Sequence, residues 1–321
     1  MDGPYLITGG QGFFGAWIAR QLLSEGAPFV LADLRPDDRV LRQVLEPEAV
    51  DGLRRVYGDV ADGEFVERAV LESRARHVIH LAGLQVPTCA ADPIIGARVN
   101  VVGTLQVFEA VRRHRDQVEN VVYASSAAVV GPPGDYVGSV RDDAHHVPRT
   151  HYGVFKLANE GNARVYWQDH GLPSVGLRPL AVYGVGREVG LTSAPTKAIR
   201  AAVLGKPFTV PFRGVTGFNY VADVAACFIA CARRHRDGAI ALNNPGENHD
   251  VREFLDRVEA ELPAARGTLR CEGGEIPVAW DLDERGLRAV IGEVPHTSID
   301  EGIRQTAARF HALAARGILE T

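Results

Sequence analysis

The sequence predicts an α/β fold: a Rossmann-type doubly wound parallel sheet with a smaller C-terminal substrate-binding lobe. Three observations predict it. Short apolar runs alternate with amphipathic helical patterns through the first 179 residues, the rhythm of parallel strands joined by crossover helices. The first strand-to-helix junction is rich in glycine, and the second strand ends in an acid. The 321 residues, 46% of them hydrophobic, suffice for one large core or for a domain with a smaller lobe.

Pro4-Tyr-Leu-Ile-Thr8 is a buried-strand run, and Ala16 to Leu23 carries a helical pattern. Between them, in Gly9-Gly-Gln-Gly-Phe13-Phe14-Gly15, residues Gly10, Gly12 and Gly15 read as G-x-G-x-x-G in the strand-to-helix context that motif requires. Such glycines let the backbone turn tightly and approach a pyrophosphate held at the helix N-terminus. The next strand, Phe29 to Asp33, places its acid 18 residues after Gly15, close to the separation of about 20 expected for a carboxylate on ribose hydroxyls. Dinucleotide binding follows. A carboxylate at Asp33 repels a 2′-phosphate and favours NAD over NADP, while Arg35 is either a solvated loop residue or a partner for such a phosphate.

Further strands are expected at 53–57, 77–81, 118–124 and 174–177, with helices near 64–73, 97–114 and 152–169. Beyond Arg178-Pro179 the alternation fails. The expected organisation is a dinucleotide-binding domain over 1–179, to which 215–238 returns through a helix at 221–234. The lobe comprises 180–214 and 239–321, with amphipathic helices at 250–262 and 298–315. The chain has no internal repeat and no low-complexity linker.

A net charge of −5 leaves no footprint for nucleic acid. No apolar stretch is expected to reach the 18 or more residues of a membrane span, and Met1 leads directly into the first strand, so a cytoplasmic protein without signal peptide or membrane association is expected. Cys89, Cys227, Cys231 and Cys271 have no metal spacing, and Cys227 and Cys231 read as reduced core residues. No metal is expected. His145-His146 reads as a solvated loop.

Tyr152 and Lys156 are four residues apart, which on a helix puts them on one face. A phenol ionises near 10 when unperturbed, and a neighbouring ammonium favours its ionised form, so the pair suits proton transfer at a substrate oxygen. On its own this spacing is commonly structural; the glycine loop and Asp33 give it meaning.

With Thr8 to Gly15, Gly58-Asp59-Val60, His80-Leu81-Ala82-Gly83, Asn100 to Thr104, Tyr123 to Ser126, Tyr152 to Lys156, Leu177-Arg-Pro179 and Tyr220 to Val224, the chain resembles an extended short-chain dehydrogenase/reductase of the NAD-dependent epimerase/dehydratase group. The similarity runs over essentially the whole length. It implies that Asp59 and Val60 flank the adenine, that Leu81, Ala82 and Gly83 line the cofactor's middle section with Asn100 behind them, and that Pro179 joins the cofactor set. It implies Ser126 as the residue that orients the reacting oxygen, with Ser125 the neighbouring alternative, Tyr152 as acid/base and Lys156 on the nicotinamide ribose. A homodimer built on the helices at 97–114 and 152–169 is the family-level expectation.

The chain also departs from the pattern. Ala181 stands where members acting on nucleotide sugars commonly carry Asn, Thr216 where they carry a diphosphate-clamping Arg, and Val130 where a Tyr precedes Gly131. Arg213 or Arg187 is left as a substitute cation. Losing a bidentate clamp points to a smaller, polyhydroxylated substrate, with Gln85, Ser125, Ser126, Arg187 and Thr192 as the residues expected to bind it. Thr192 and Ser193 are equally read as caps of a helix beginning near Ala194. The leading expectation is NAD-dependent hydride transfer to or from a secondary alcohol of a sugar or sugar-acid-like molecule. A nucleotide-sugar epimerase or dehydratase that recycles bound NAD is the alternative, and a non-catalytic cofactor sensor a third.

Overall fold

The computed structural model describes residues 3–319; Met1, on which the expectation of no signal peptide rested, lies outside them, as do residues 2, 320 and 321 at the edges of the two assigned regions. In chain order the strands are β1 (Tyr5–Thr8), β2 (Phe29–Asp33), β3 (Arg55–Tyr57), β4 (His77–His80), β5 (Asn120–Ala124), β6 (Ser174–Pro179), β7 (Ala181–Tyr183), β8 (Phe208–Val210), β9 (Val215–Tyr220), β10 (Ala239–Asn244), β11 (Glu247–Asp250) and β12 (Leu269–Cys271). Seven form one sheet in the order β3-β2-β1-β4-β5-β6-β10. Every pairing in it is parallel.

The pleat explains why these strands read as unbroken apolar runs rather than alternating ones. Leu6, Val78 and Val121 point into one buried cluster while their neighbours Ile7, Ile79 and Val122 point into the other. The helices Phe13–Ser24 and Val221–Arg234 cover the second of these faces, and Gly63–Ser73 and Gly103–Arg113 cover the first. Because β1 is flanked by β2 on one side and β4 on the other, the connections diverge at β1, and the crevice beyond the C-terminal ends of these strands is the expected ligand position.

The lobe departs from the sequence boundaries at two places. β10 was assigned to the lobe but pairs along its length with β6, where its buried Leu242 joins the main core. β9 was assigned to the dinucleotide domain, yet it sits between β7 and antiparallel β11 in a separate three-stranded sheet; β8 and β12 form a third, two-stranded sheet. Stacked rings of Phe218 and Phe254, 4.5 Å apart, and Tyr183 edge-on to Phe254 fill the lobe's interior.

The helix expected at 97–114 starts earlier, at Pro93, where Asp92 caps the N–H groups of Ile94 and Ile95. It runs Pro93–Ala97, a π-helical turn Arg98–Val102, then Gly103–Arg113. Thr104 Oγ1 donates to the Asn100 carbonyl at 2.6 Å, a side-chain bond that accompanies this wide turn. The segment is 21 residues long and contains an 18-residue stretch with a mean hydropathy of 1.3, long and apolar enough to cross a membrane, which corrects the expectation that no such stretch exists. Here its Val107, Phe108 and Val111 are fully buried in the core of the sheet.

Cys227 and Cys231 are buried and unpaired in the core cluster on the other face of the sheet, as expected. The paired histidines divide. His145 is exposed, but His146 carries a buried Nε2 without a partner, so the solvated-loop reading fails for it.

Candidate active site

One cavity of about 540 Å³ opens at the C-terminal ends of β1, β2, β4 and β5 and extends under the lobe. Gly9, Gly12, Phe13 and Phe14 form its floor at the start of the first helix. Gly9 adopts φ +65°, and a Cβ there would lie 2.7 Å from the Ala82 nitrogen, so the loop needs glycine for conformation and for closeness. Gly15 lies behind the loop instead of in the cavity; a Cβ on it would meet the Gly10 carbonyl oxygen at 2.5 Å. The helix that follows has no acid in its first turn, leaving its N-terminus free for an anion.

Asp33 lines the far end, with Asp59 and Val60 beside it. Its carboxylate accepts the Gln11 N–H at 2.9 Å and the Leu34 N–H at 2.8 Å, which binds the acid to the glycine loop. Arg35 is exposed and outside the cavity lining, so it is a solvated loop residue here. Asp59 is held by Arg98 at 3.2 Å. Leu81, Ala82, Gly83 and Pro179 complete the central wall.

Asn100 stands behind that wall. The π-turn brings its Nδ2 onto the carbonyls of Leu84 (3.1 Å) and Gly96 (3.0 Å), while Oδ1 is buried without a partner. A Cβ on Gly83 would meet that Oδ1 at 2.7 Å, so only glycine fits between Asn100 and the cavity. The neighbouring His80 is a fixed strut: Nδ1 pairs with Thr8 Oγ1 (2.7 Å) and Nε2 with Thr104 Oγ1 (3.0 Å). Thr104 spends its own proton on Asn100, so Nε2 carries the imidazole proton. Burial first, then Lys156, lowers the His80 pKa to about 3, keeping it neutral.

The helix His151–His170 supplies the proton-transfer groups, capped by Thr150 Oγ1, which accepts the Gly153 N–H at 3.0 Å. Tyr152 and Lys156 share one face, with the ammonium 5.5 Å from the phenol ring centroid. Lys156 Nζ donates to the Ala124 carbonyl at 2.7 Å. Burial brings its pKa down to about 8. Tyr152 is pushed up by burial, and a hydrogen bond from Ser126 and the charge of Arg187 act against that rise. Ser126 lines the same cavity as Tyr152, its Oγ accepting the Ala128 N–H at 3.1 Å. Ser125 lines the cavity as well, but it is buried and its hydroxyl proton is given to Glu160 Oε1 at 2.5 Å, which leaves it no proton to offer a reacting oxygen. Glu160 is in turn gripped by Arg178 Nε (2.8 Å) and Nη2 (2.7 Å).

At the substrate end stands Arg187, on the glycine-studded loop after β7. Its guanidinium lies over the Phe13 ring at 5.4 Å, Nη2 donates to Thr192 Oγ1 at 3.1 Å, and Nη1 donates to Gln85 Oε1 at 3.1 Å in the amide orientation that also satisfies Val189. Its Nε is buried with no partner, and among the described residues no carboxylate pairs with it. Thr192 therefore positions Arg187. The capping alternative fails, because the helix Ala194–Val203 has no side-chain cap and Ser193 donates to Gly190 O. Arg213 is exposed and outside the cavity, so of the two substitute cations only Arg187 reaches it. Ala181 and Thr216 are buried on β7 and β9.

Sequence reasoning missed Arg149, half-exposed at the cavity rim and paired with Asp135 at 3.0 Å, and an apolar wall of Ile276, Pro277 and Val278. Arg149 was legible as the third residue before Tyr152. The wall was not, since its segment is held to Gly131 by a backbone bond from Ala279 that no local pattern announces.

The model of the NAD dependent epimerase/dehydratase family matches residues 5–243. A UDP-glucose 4-epimerase from Azospirillum brasilense is 30% identical over 94% of this chain and 90% of its own length. A D-erythronate dehydrogenase from Cupriavidus necator is 33% identical over 93% and 96%. The crystal structure of the Thermus thermophilus UDP-glucose 4-epimerase in complex with NAD, 29% identical, superposes with a TM-score of 0.76 over 96% of this chain and 98% of the other.

Proposed function

Because the chain belongs to the NAD-dependent epimerase/dehydratase family, and is thereby an extended short-chain dehydrogenase/reductase enzyme with NAD as its cofactor, we propose that it is a dehydrogenase of compact sugar acids, exchanging hydride at a secondary alcohol. The observation that carries this reading is Arg187, a guanidinium on the cavity wall whose Nε is buried and which, among the described residues, has no acidic partner. Leaving such a charge unpaired is costly, and a substrate carboxylate matches its two-pronged geometry.

The residues present fit the cofactor. The φ-positive Gly9, the uncharged helix N-terminus, Asp33 at the ribose end and the close approach at Gly83 provide its cradle. When bound, NAD supplies the hydride acceptor. Tyr152 takes the hydroxyl proton, Ser126 aligns the reacting oxygen with the phenol, and Lys156 lends positive charge that favours the phenolate. Gln85 and Thr192 hold Arg187 for the carboxylate, while Ile276 and Val278 cover the carbon chain and keep water out. The same reading takes the enzyme as a homodimer, supported by the exposed Ile94, Ile95, Val102, Val154 and Val165 on its two long helices.

The names of several relatives favour a second reading, a nucleotide-sugar epimerase or dehydratase. Against it stand Ala181 and Thr216, buried and unable to clamp a diphosphate. Ser126, Tyr152 and Lys156 gathered in one cavity leave the non-catalytic reading without support.

The test is a panel of aldonates, uronates, aldoses and nucleotide sugars with NAD or NADP, following reduced nicotinamide. Net NADH with an acid supports the proposal, and Arg187→Leu should then raise the KM for that acid by about 30-fold or more with NADH affinity kept. Conversion of a nucleotide sugar without net NADH establishes the second reading. Weakened NADH binding in Arg187→Leu, with the KM unmoved, assigns the guanidinium to the cofactor and overturns the carboxylate role.

A further inference from the structure

Three residues of one helix face adjoin three consecutive residues at the end of β5. Tyr152 shares the cavity wall with Ser126, Lys156 Nζ holds the Ala124 carbonyl at 2.7 Å, and Glu160 Oε1 receives the Ser125 hydroxyl at 2.5 Å. The spacing i, i+4, i+8 keeps the three on one stripe of the helix. The strand leaves the sheet here through a tight turn, the Ser125 N–H donating to Tyr123 O at 3.1 Å. Ser125 is thus the pivot between the residue that anchors the ammonium and the residue that shares the cavity wall with the phenol.

We propose that Ser125 and Glu160, with Arg178, are positioning residues of the proton-transfer site: they fix the chain at the pivot so that Ala124 and Ser126 meet Lys156 and Tyr152 in register. Two features distinguish this from a merely structural ion pair. A buried pair is by itself weak evidence for stability, and this one is completed by a short charge-assisted bond to the residue adjoining Ser126. Arg178 is itself fixed, its Nη1 donating to the Asp142 carbonyl (2.9 Å) and to Asn243 Oδ1 (3.4 Å), so the cation that grips Glu160 is anchored to the loop before the helix and to β10.

The charged and titratable groups around the device are Arg178 on β6, Tyr123 on β5, His146 on the loop before the helix, and Lys156 and Arg164 on the helix itself. Lys156 additionally faces Cys89 and His80. The proposal rests on Tyr152 as the proton-transfer group and not on which substrate is used, so its main readout needs none.

The test is Ser125→Ala, read in the free protein as the ionisation of Tyr152, from the ultraviolet difference between each protein and its Tyr152→Phe counterpart. Loss of the pivot should weaken the Ser126 bond and move the Tyr152 midpoint up by about half a pH unit or more. NADH affinity should stay within about threefold and the thermal midpoint within a few degrees. With any substrate identified above, kcat should fall about tenfold or more with KM little changed, and Ser125→Thr, which keeps the hydroxyl, should recover most of it. Glu160→Gln leaves Arg178 uncompensated; if it folds, it should match Ser125→Ala, and if it does not, the serine variants still decide. An unchanged Tyr152 midpoint in folded Ser125→Ala overturns the proposal whatever the substrate panel returns.

Discussion

Asp33 Oδ2 accepts the backbone N–H of Gln11 at 2.9 Å, so the acid that ends β2 is hydrogen-bonded directly to the glycine loop that ends β1. The loop and the acid are one unit. Burial raises the Asp33 pKa and the two backbone donors, Gln11 and Leu34, oppose the rise. Asp33→Asn keeps an acceptor for Gln11 but removes the charge that repels a 2′-phosphate. It should lower kcat/KM with NAD by about tenfold or more and narrow the gap to NADP. Parallel kinetics with both cofactors check this; a variant as strict for NAD as the parent removes Asp33 from the selection.

Lys156 loses its proton near pH 8 in the free protein because burial disfavours the ammonium. As pH rises through that value, the charge that the proposed mechanism places beside the phenol and the cofactor ribose is lost. NADH affinity measured by fluorescence should therefore decline above about pH 8. Lys156→Gln should bind NADH weakly throughout and without that decline. A slope retained in the variant points to another group.

Much of this site was legible because its parts are local. The glycine loop, Asp33 and the Tyr152–Lys156 pair each sit within one turn or one strand end, where a pattern of a few residues dictates geometry. Ser125 was not legible. Its hydroxyl is claimed by Glu160, 35 residues away, and nothing in Tyr123-Ala-Ser-Ser126 says which serine gives its proton away. The apolar wall at Ile276 to Val278 and the membership of β10 in the main sheet depend likewise on pairing across the fold. The early start at Pro93 was written in the Asp92 cap, a signal the apolar periodicity masked.

The proposed homodimer can be tested on the two helices. Val154 and Val165 are 48% and 51% exposed on His151–His170, and Ile94 is 82% exposed at the start of the neighbouring helix, apolar surface that a second copy of the chain would cover. Val154→Asp combined with Ile94→Asp should convert a dimer to a monomer in sedimentation while leaving the far-UV spectrum intact. A parent protein that sediments as a monomer at tens of micromolar refutes the dimer outright.

His146 gives the fold an acid sensitivity of definite sign. Burial, then the charge of Arg178, lowers its pKa from 6.5 to about 4, and Nε2 has no partner to compensate. Between these values the unfolded chain binds a proton that the folded chain refuses, so stability rises with pH across the window and is lost as pH falls through it. Asp33, Asp142 and Asp223 have raised values and act with the opposite sign, as acids that the fold keeps protonated longer. Only a difference between proteins isolates the histidine. His146→Phe, which keeps a ring and has no titration, should flatten the dependence of urea-unfolding stability on pH between about 6.5 and 4 relative to the parent. Equal slopes for the two proteins would place the acid sensitivity elsewhere, with His80 and His235, both also lowered by burial, as the remaining histidine sources.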